Sequence, residues 1–280
     1  MVEVIKSGFF TAVQDLGRFD FRDKGVPISG AMDSFSALWA NELLGNNPND
    51  AVLEITLSGP ELLFHEHTEI VLAGAKIEGF IDKQSLPMHH VIEINPGQKI
   101  RFGHVLRGCR VYLAVKGGWQ TEAILGSRSF FQPISQKSHL TKGDVLNYLP
   151  FDKTLDFHAN MKIKNDFLFD KTLAVFPGPE FDFLKEDDKN RLDEFTFHID
   201  SLNNRMAYQL QEKLSKNNHS ITTSATLPGT IQLTPSGKLI VLMRDAQTTG
   251  GYPRILQLSE QAISVLAQKK TNDAVRFNLL

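Results

Sequence analysis

Short runs of apolar and β-branched residues, separated by Gly, Pro, Asn and Asp, recur along the whole chain. Seven runs have the length and residue types of β-strands: "TEIVLAGAKI", "QKIRFG", "CRVYLAVKGG", "DVLNYL", "TLAVFPG", "TIQLTPSGKLIVLM" and "AVRFNLL". Two other segments, "SFSALWANELLG" and "RMAYQLQEKLSK", place apolar residues at helical spacing. The pattern therefore predicts a mainly β protein with a few helices.

Part of this pattern repeats 170 residues further along the chain. "GPELLFHEHTEIVL" (59–72) aligns without a gap with "GTIQLTPSGKLIVL" (229–242), and the first predicted helix then falls on the second. "GQKIRF" meets "NDAVRF" after a shift of 175, so the second copy carries five extra residues. We expect two duplicated β-rich units, each a barrel or sandwich. The first, with an extension, is expected over 1–150 and the second over 172–280.

Charge and composition exclude several classes of protein. Lys and Arg number 30 against 32 Asp and Glu, so nothing indicates a nucleic-acid or anionic-membrane partner. No basic segment leads into an apolar one at the N-terminus and no apolar run is long enough to cross a bilayer, which favours a cytoplasmic protein. Cys109 is the single cysteine, and the pairs His65/His67 and His89/His90 lack a third ligand nearby. We therefore expect no metal site built by this chain alone.

Common catalytic and nucleotide-binding motifs are absent from the sequence. The chain has no G-x-x-x-x-G-K-[ST], G-x-G-x-x-G, G-x-S-x-G or H-E-x-x-H pattern. "NMKIK" (160–164) resembles the lysine context of biotin carrier domains, but Ile163 replaces the usual second Met. Because the segment lies in the polar stretch "FHANMKIKND", we interpret it as a charged linker.

Three stretches of the first unit combine glycines with polar side chains. They are "TAVQDLGR" with Gln14, Asp15 and Arg18, "GVPISGAMD" with Gly30 and Asp33, and "LGSRS" with Ser127 and Arg128. Asp33 directly precedes the first predicted helix, so it is expected to be the N-cap. The helix N-terminus beyond it could receive an anion. Capping alone explains Asp33 equally well.

A fourth stretch, "DAQTTGGYPR", follows the apolar run "KLIVLM" in the interval that holds the extra residues. Its candidate ligand-binding residues are Gln247, Thr248, Thr249, Gly250, Gly251, Tyr252 and Arg254. A plain turn is one interpretation, because Gly-Gly can supply positive φ and Pro253 stiffens the exit. Hydroxyls, close backbone amides and a guanidinium also suit carboxylate or phosphate oxygens. We therefore predict a ligand-binding loop.

Several long motifs together resemble the KipA family, whose members are also called the C-type subunit of 5-oxoprolinase or allophanate hydrolase subunit 2-like carboxyltransferase domains. The matching stretches are "TAVQDLGR", "GVPISGAMDSFSALWANELLGN", "LEITLSGPELLF", "YLAVKGG", "LGSRS", "PGTIQ" and "DAQTTGGYPRI". The resemblance runs from Val4 to Phe277. It implies cyclophilin-like β-barrel domains and a KipI-like partner, which is the B-type subunit of 5-oxoprolinase, with a LamB/YcsF-type third subunit.

Two segments depart from the pattern of the family. Where members often carry Ser-Arg-(Met/Leu)-Gly-(Ile/Val)-Arg, this chain has Ala207 and Gln209 in place of the glycine and second arginine. "TSATL" stands where a Ser-Glu-Gly stretch precedes "PGTIQ". If these segments contact the substrate or the partner, the substrate of this protein differs from that of its relatives.

The resemblance implies a hydrolase subunit that opens 5-oxoproline to glutamate with ATP and is inactive alone. ATP, with Mg²⁺, would then occupy a site shared with the partner, and biotin is not carried on this chain. Arg18 and Arg254 are the candidates for binding carboxylate or phosphoryl oxygens, and Asp15 or Asp33 for a base or a magnesium ligand. Two alternatives stay open: a carboxyltransferase acting from carboxybiotin on urea or a similar amide, and a non-catalytic regulator of a KipI-like partner.

Overall fold

The computed structural model describes residues 1–149 and 166–280, and over these residues the predicted mainly β fold is confirmed. The strands of the first half are β1 (Val2–Lys6), β2 (Phe10–Gln14), β3 (Val52–Thr56), β4 (Glu61–Phe64), β5 (Thr68–Ile81), β6 (Gln84–Ser85), β7 (Ile92–Ile94), β8 (Lys99–Val115) and β9 (Val145–Leu146). Those of the second half are β10 (Thr172–Pro177), β11 (Phe197–Asn203), β12 (Ala207–Lys213), β13 (Ser224–Ala225), β14 (Thr230–Leu233), β15 (Lys238–Leu242), β16 (Thr249–Gly250), β17 (Arg254–Leu258) and β18 (Ala274–Leu279). The α-helices are α1 (Ser34–Leu44), α2 (Glu186–Glu194) and α3 (Glu260–Ala267), and short 3-10 helices cover Arg22–Lys24, Asp166–Phe169 and Phe181–Phe183.

The chain divides into two compact units. The first comprises Met1–Arg18 and the described part of Ser29–Asn165, and the second comprises Phe19–Ile28 and Asp166–Leu280. Residues 19–28, which the sequence placed with the first unit, thus group with the second. The "NMKIK" segment (160–164) lies outside the described residues.

A nine-stranded sheet forms the first unit. Its main order is β2-β3-β8-β4-β1-β9, and β5 pairs with β8, β6 and β7. The predicted strands "QKIRFG" and "CRVYLAVKGG" are parts of the single 17-residue strand β8, so the predicted break between them is wrong. Gly103 and Gly108 resemble turn residues in the sequence. The strand nevertheless continues through both positions, because β8 pairs with β5 before and after them.

The apolar run at the start of β5 is buried on both of its faces. Ile70 and Leu72 belong to one hydrophobic core, while Val71 and Ala73 belong to a second core that includes residues of α1. Alternate residues of a strand point to opposite sides of a sheet. A strand covered by a helix on one side and by a core on the other therefore needs apolar residues at successive positions.

A closed seven-stranded barrel forms the second unit. Its order is β10-β17-β14-β15-β12-β11-β18, and the parallel pairing of β10 with β18 completes the ring. Ile231 lies opposite both Val241 and Leu256, and all three side chains are buried. Closure leaves no unpaired edge in this ring of strands.

The helix predicted over "RMAYQLQEKLSK" is wrong, because Ala207–Lys213 form strand β12. This strand pairs with β11 on one side and β15 on the other, and tertiary pairing overrides its local helical spacing. The proposed repeat therefore aligns α1 with a strand at this position. Helices α2 and α3 were not predicted: α2 has only two buried residues, Asp188 and Leu192, and α3 is short, beginning after the N-cap Ser259.

Candidate functional site

In the first unit, the carboxylate of Asp15 connects two of the predicted stretches. Its Oδ1 accepts hydrogen bonds from the Gly17 amide at 2.8 Å and the Ser127 hydroxyl at 2.7 Å. Oδ1 also accepts from the Ser129 hydroxyl at 2.6 Å, and Oδ2 accepts from the Arg128 amide at 2.6 Å. Asp15 is buried. Its side chain therefore holds the "LGSRS" loop in place, and its predicted role as a base would require some of these bonds to break.

Gln14 and Arg18, which lie on either side of Asp15 in the sequence, bind the same loop. The Gln14 side-chain amide donates to the Phe130 carbonyl at 3.2 Å. The Arg18 guanidinium is 1% exposed and donates through Nε to the Ile124 carbonyl at 3.2 Å and through Nη2 to the Ser129 carbonyl. Burying a guanidinium costs free energy unless hydrogen bonds compensate it. Arg18 thus fixes the backbone just before "LGSRS" and at its last residue.

The half-buried guanidinium of Arg128 binds residues that precede this loop in the sequence. Its Nη2 donates to Oε1 of Gln120 at 2.9 Å, and its Nη1 donates to the Thr121 carbonyl. Arg128 and Arg18 together hold segment 120–124 at three residues, Gln120, Thr121 and Ile124. Both arginines therefore bind oxygens of the protein itself, and direct contact with a ligand stays a prediction for them.

Gly30 brings the "GVPISGAMD" stretch against "TAVQDLGR". Its φ is +82°, and a Cβ built on it would lie 2.7 Å from the carbonyl carbon of Leu16 and 2.8 Å from the Gly17 nitrogen. The next amide, of Ala31, donates to the Asp15 carbonyl at 2.8 Å. Only glycine permits both this φ and this approach. The three predicted stretches of the first unit therefore form one cluster.

Asp33 is the N-cap of α1, as its position in the sequence predicted. Its Oδ1 accepts from the Ser36 amide at 3.0 Å, and its Oδ2 accepts from the Ser36 hydroxyl at 2.6 Å. The Asp33 amide donates to the Tyr112 hydroxyl at 2.8 Å, and that hydroxyl donates to Glu54 Oε2 at 2.9 Å. The Met32 amide also donates to Glu54, at 2.7 Å. These amides already bind protein groups, so anion binding at this helix terminus stays a prediction.

Burial is the main influence on the pKa of Tyr112, which lies beside this N-cap. It raises the pKa of Tyr112 well above its ordinary value, and the neighbouring carboxylates of Glu54 and Asp33 raise it further. Arg110 partly offsets this effect, with its Nε 3.6 Å from Glu54 Oε1. Tyr112 is therefore a neutral hydrogen-bonding support for the start of α1.

In the second unit, the "DAQTTGGYPR" stretch forms half of a small two-stranded sheet. We call this sheet, made of Ser224–Ala225 and Thr249–Gly250, the flap. Thr226 follows it, donating through its hydroxyl to the Gln247 carbonyl at 2.6 Å and through its amide to the Thr248 carbonyl at 3.0 Å. The stretch is therefore more than a tight turn between two strands.

The two glycines of this stretch do not supply positive φ, so that part of the turn prediction is wrong. Neither Gly250 nor Gly251 has a φ in the left-handed region, because Gly250 lies in an extended strand of the flap and Gly251 follows it directly. Gly250 is instead packed against the buried amide of Gln232. A Cβ on Gly251 would approach only the Ile221 carbonyl, at 3.7 Å. Of the pair, Gly250 is the position where an added Cβ would force a neighbouring group, the Gln232 amide, to move.

Arg254 lies beside the flap and binds a carboxylate of its own unit. Its Nε donates to Glu180 Oε2 at 3.0 Å and its Nη2 to Oε1 at 2.8 Å, while Nη1 donates to the Ala225 carbonyl at 2.8 Å. The hydrogen bond from Arg254 lowers the pKa of Glu180, and partial burial opposes this shift. The Arg22 guanidinium donates to the neighbouring Thr226 carbonyl. Arg254 therefore stabilises the flap through the Ala225 carbonyl. Its role in binding a substrate anion stays a prediction.

Sequence reasoning missed three polar residues that the folded chain places at these clusters. Glu54 and Gln232 each interrupt an apolar strand, "VLEIT" and "TIQL", and that isolated polarity was the available signal. Glu180 follows "FPGP" and carries no comparable signal. Tyr252, which was predicted to contact a ligand, is 43% exposed.

The two histidines of the "HEH" stretch each pair with one carboxylate. His65 lies 3.6 Å from Glu3, and His67 lies 2.8 Å from Glu93. Over residues 1–149 and 166–280, no three His, Cys, Asp or Glu side chains are grouped as metal ligands. No helix in the same residues is long and apolar enough to span a bilayer.

Comparison with known sequences places this chain among carboxyltransferase domains. The family described as "Carboxyltransferase domain, subdomain A and B" matches residues 24–279. The C-type subunit of 5-oxoprolinase from Escherichia coli (strain K12) is 32% identical over 286 residues, which cover 99% of this chain and 90% of that protein. The urea amidolyase of Saccharomyces cerevisiae is 37% identical over 131 residues, covering 46% of this chain and 7% of that protein.

Two solved structures share the fold of nearly the whole chain. The crystal structure of TTHA0988 matches 99% of this chain with a TM-score of 0.89 and 25% identity, and this chain spans 55% of its length. The crystal structure of the K. lactis urea amidolyase matches 100% of this chain with a TM-score of 0.89 and 27% identity. This chain spans 18% of that much longer protein.

Proposed function

Because this chain belongs to the family of carboxyltransferase domains with subdomains A and B, we propose that it is one subunit of an ATP-dependent 5-oxoprolinase. One observation carries the proposal: the similarity to the C-type subunit of 5-oxoprolinase extends over nearly the whole of both chains. The sequence match to the S. cerevisiae urea amidolyase reaches less than half of this chain, although the structure of the K. lactis urea amidolyase matches all of it. A second C-type subunit of 5-oxoprolinase, from Haemophilus influenzae, also aligns over 99% of the chain at 26% identity.

The proposed reaction opens the cyclic amide of 5-oxoproline. An amide carbon is a poor electrophile, and ATP would supply a phosphoryl group to the amide oxygen to make that carbon attackable. Water then adds to the carbon, and the ring C–N bond breaks with a proton passing to nitrogen, which leaves an acyl phosphate. A second water displaces phosphate from that acyl carbon. The products are glutamate, ADP and phosphate. Negative charge develops on oxygen during the attack, so the site needs fixed hydrogen-bond donors.

The contacts of three arginines support an active site that is shared with a partner subunit. The guanidinium groups of Arg18, Arg128 and Arg254 all donate to protein oxygens. They are therefore suited to holding loops in a fixed geometry. Donors for the phosphates of ATP would then come largely from a KipI-like subunit, and the isolated chain is expected to be inactive.

The experiment is reconstitution of this chain with a KipI-like subunit and a LamB/YcsF-type subunit. We expect ADP release that depends on 5-oxoproline, with glutamate formed in equal amount, and neither product from this chain alone. Equal rates with and without the partners would refute the shared site. A fully reconstituted complex that leaves 5-oxoproline unchanged would refute the proposed function.

Carboxyl transfer is the second candidate, and it is favoured by the name of the family and by the match to the K. lactis urea amidolyase. In that case a carboxylated biotin carrier on another chain would lose its carboxyl group to urea or a similar amide when this chain is added. The third candidate, a regulator, predicts instead that the chain lowers the activity of its KipI-like partner without turnover of either substrate.

A further inference from the structure

Strand β9 lies at one end of the main strand order of the first unit. It pairs with β1 over Val145 and Leu146. Next to this pairing the Val4 amide donates to the Asp144 carbonyl at 2.8 Å, so the carbonyl of Asp144 points towards β1. Successive residues of a strand direct their backbone N–H and C=O groups to opposite sides. Those of Val145 therefore point away from β1, and those of Leu146 point towards it.

On the side away from β1, another segment of the chain runs beside β9 only briefly. Trp119 and Tyr148 form an isolated bridge, and the Gln120 amide donates to the Asn147 carbonyl at 2.7 Å. Beyond that bond the pairing stops, and the N–H and C=O groups of Val145 have no hydrogen-bond partner in the described part of the chain. An unpaired strand edge of this kind can accept a further strand.

A cavity of about 230 Å³ lies where the pairing stops, lined by residues of 120–124 and of 144–147. Phe130, Leu140 and Leu146 give it apolar surface. Its volume is smaller than the roughly 300–1,000 Å³ of pockets for drug-sized ligands. The cavity therefore suits an apolar side chain of a docked segment better than a whole ligand of that size.

Two guanidinium groups hold the wall of the cavity that faces β9. The Thr121 carbonyl accepts from Arg128, and the Ile124 carbonyl accepts from Arg18 at 3.2 Å. These backbone oxygens are thus bound within the first unit and do not pair with β9. A groove that is formed before its partner arrives lowers the entropic cost of binding.

The charged groups that line the cavity are two carboxylates and one ammonium group, those of Glu122, Asp144 and Lys137. Lys137 contacts Asp144, so these two charges compensate each other. Glu122 has no ion pair with any other described residue. The lining is therefore net negative. It favours a segment with Lys or Arg beside its apolar residue and disfavours an acidic one.

We propose that this groove receives an extended segment of the KipI-like subunit, which pairs with the free edge of β9 at Val145. An apolar side chain of the segment, flanked by Lys or Arg, then fills the cavity. Addition of a strand to an exposed sheet edge is a recurring way in which proteins bind extended segments. The choice of partner rests on the function proposed above, whereas the groove is defined by this chain alone.

The main test is hydrogen exchange of the full chain, resolved at single amides by NMR, with and without the purified KipI-like subunit. ATP and 5-oxoproline are left out. We expect the Val145 amide to exchange rapidly in the free chain and about tenfold or more slowly in the complex. The Leu146 amide, which points towards β1, is the control and should be slow in both. A Val145 amide that is already slow in the free chain, or that stays fast in the complex, would overturn the proposal.

Val145→Pro removes this N–H group, and proline is tolerated where the N–H of an edge strand faces outwards. In a calorimetric titration it should weaken binding of the KipI-like subunit about threefold to tenfold, the usual effect of losing one neutral hydrogen bond. Val145→Thr keeps the N–H group and the shape of the side chain, so it should bind as the wild type does. A folded Val145→Pro variant with wild-type affinity would also overturn the proposal.

The charge of the segment and the identity of the occupant are tested separately. Glu122→Lys makes the lining net positive and should weaken binding, while Glu42→Lys, at an exposed position of α1, should not. Equal affinities of these two variants would refute the basic character of the segment. Self-association of the free chain that Val145→Pro abolishes would assign the edge to a second copy of this chain instead. A complex that binds as expected but leaves 5-oxoproline unchanged would refute the proposed enzyme and leave this interface standing.

Discussion

A Cβ placed on Gly250 would lie 2.5 Å from Nε2 of Gln232, closer than two such atoms can approach. The Gln232 side chain is 2% exposed, and its Nε2 has no hydrogen-bond partner among the described residues. The flap therefore covers a buried amide with the one residue type that has no side chain. This contact between β14 and β16 accounts for the glycine at position 250. Its φ does not, because that φ lies outside the left-handed region.

Gly250→Ala should destabilise the protein by about 1 kcal/mol, because the added methyl group forces the Gln232 amide to move within a filled space. Gly251→Ala is the matched control and should change the free energy of unfolding by less than about 0.5 kcal/mol. Urea denaturation of both variants measures the difference. In a Gln232→Ala background the cost of Gly250→Ala should largely disappear. Equal effects of the two alanines would show that the contact with Gln232 does not matter.

Arg254→Ala should lower the free energy of unfolding by about 2 kcal/mol, because it removes both guanidinium hydrogen bonds to the half-buried Glu180 carboxylate and leaves only the one from the backbone amide of residue 254. Arg276→Ala removes an exposed arginine of the same barrel and should cost less than about 0.5 kcal/mol. Combining Arg254→Ala with Glu180→Gln should cost less than the sum of the single changes. An additive result would mean that the pair is not coupled.

The contribution of this ion pair should depend on pH. The pKa of Glu180 is lowered in the folded protein, chiefly by the hydrogen bond from Arg254. The stabilisation is then fully present above the ordinary glutamate pKa and is lost as the pH falls through the lower, folded value. We expect the difference in unfolding free energy between wild type and Arg254→Ala to be largest near neutral pH and to shrink below about pH 4. A difference that stays constant down to acidic pH would contradict this assignment.

Asp15→Asn should destabilise the first unit by about 2 kcal/mol. Four donors bind the carboxylate in the wild type, and the NH2 group of asparagine cannot accept from those that it would face, so some of these hydrogen bonds are lost. Asp23→Asn, at an exposed position, is the control and should leave the thermal melt unchanged. Activity of the reconstituted complex should fall together with stability if Asp15 positions the "LGSRS" loop. Loss of activity with an unchanged melt would point to Asp15 as the catalytic base instead.

Local pattern was enough to predict helix α1 and seven of the eighteen strands of the described residues. Strands such as β10, β15 and β18 alternate or concentrate β-branched and apolar residues between turn signals, and Asp33 marks the start of α1 by its capping chemistry. Strand β12 was misassigned because its spacing also fits a helix, and only its pairing with β11 and β15 decides between the two. Helix α2 lacks an apolar face, so periodicity could not reveal it.

For the candidate site, the sequence by itself determined which residue types stand at the loops and hence the family of the chain. What those residues contact was decided only by the tertiary structure. Asp15 meets Ser127 across more than a hundred residues, and Arg254 meets Glu180 across 74. A buried charge takes whichever partner the folded chain brings within hydrogen-bond distance, and that partner depends on strand pairing far away in sequence. A polar loop in the sequence therefore indicates a candidate site, while the fold decides whether its charges are paired internally.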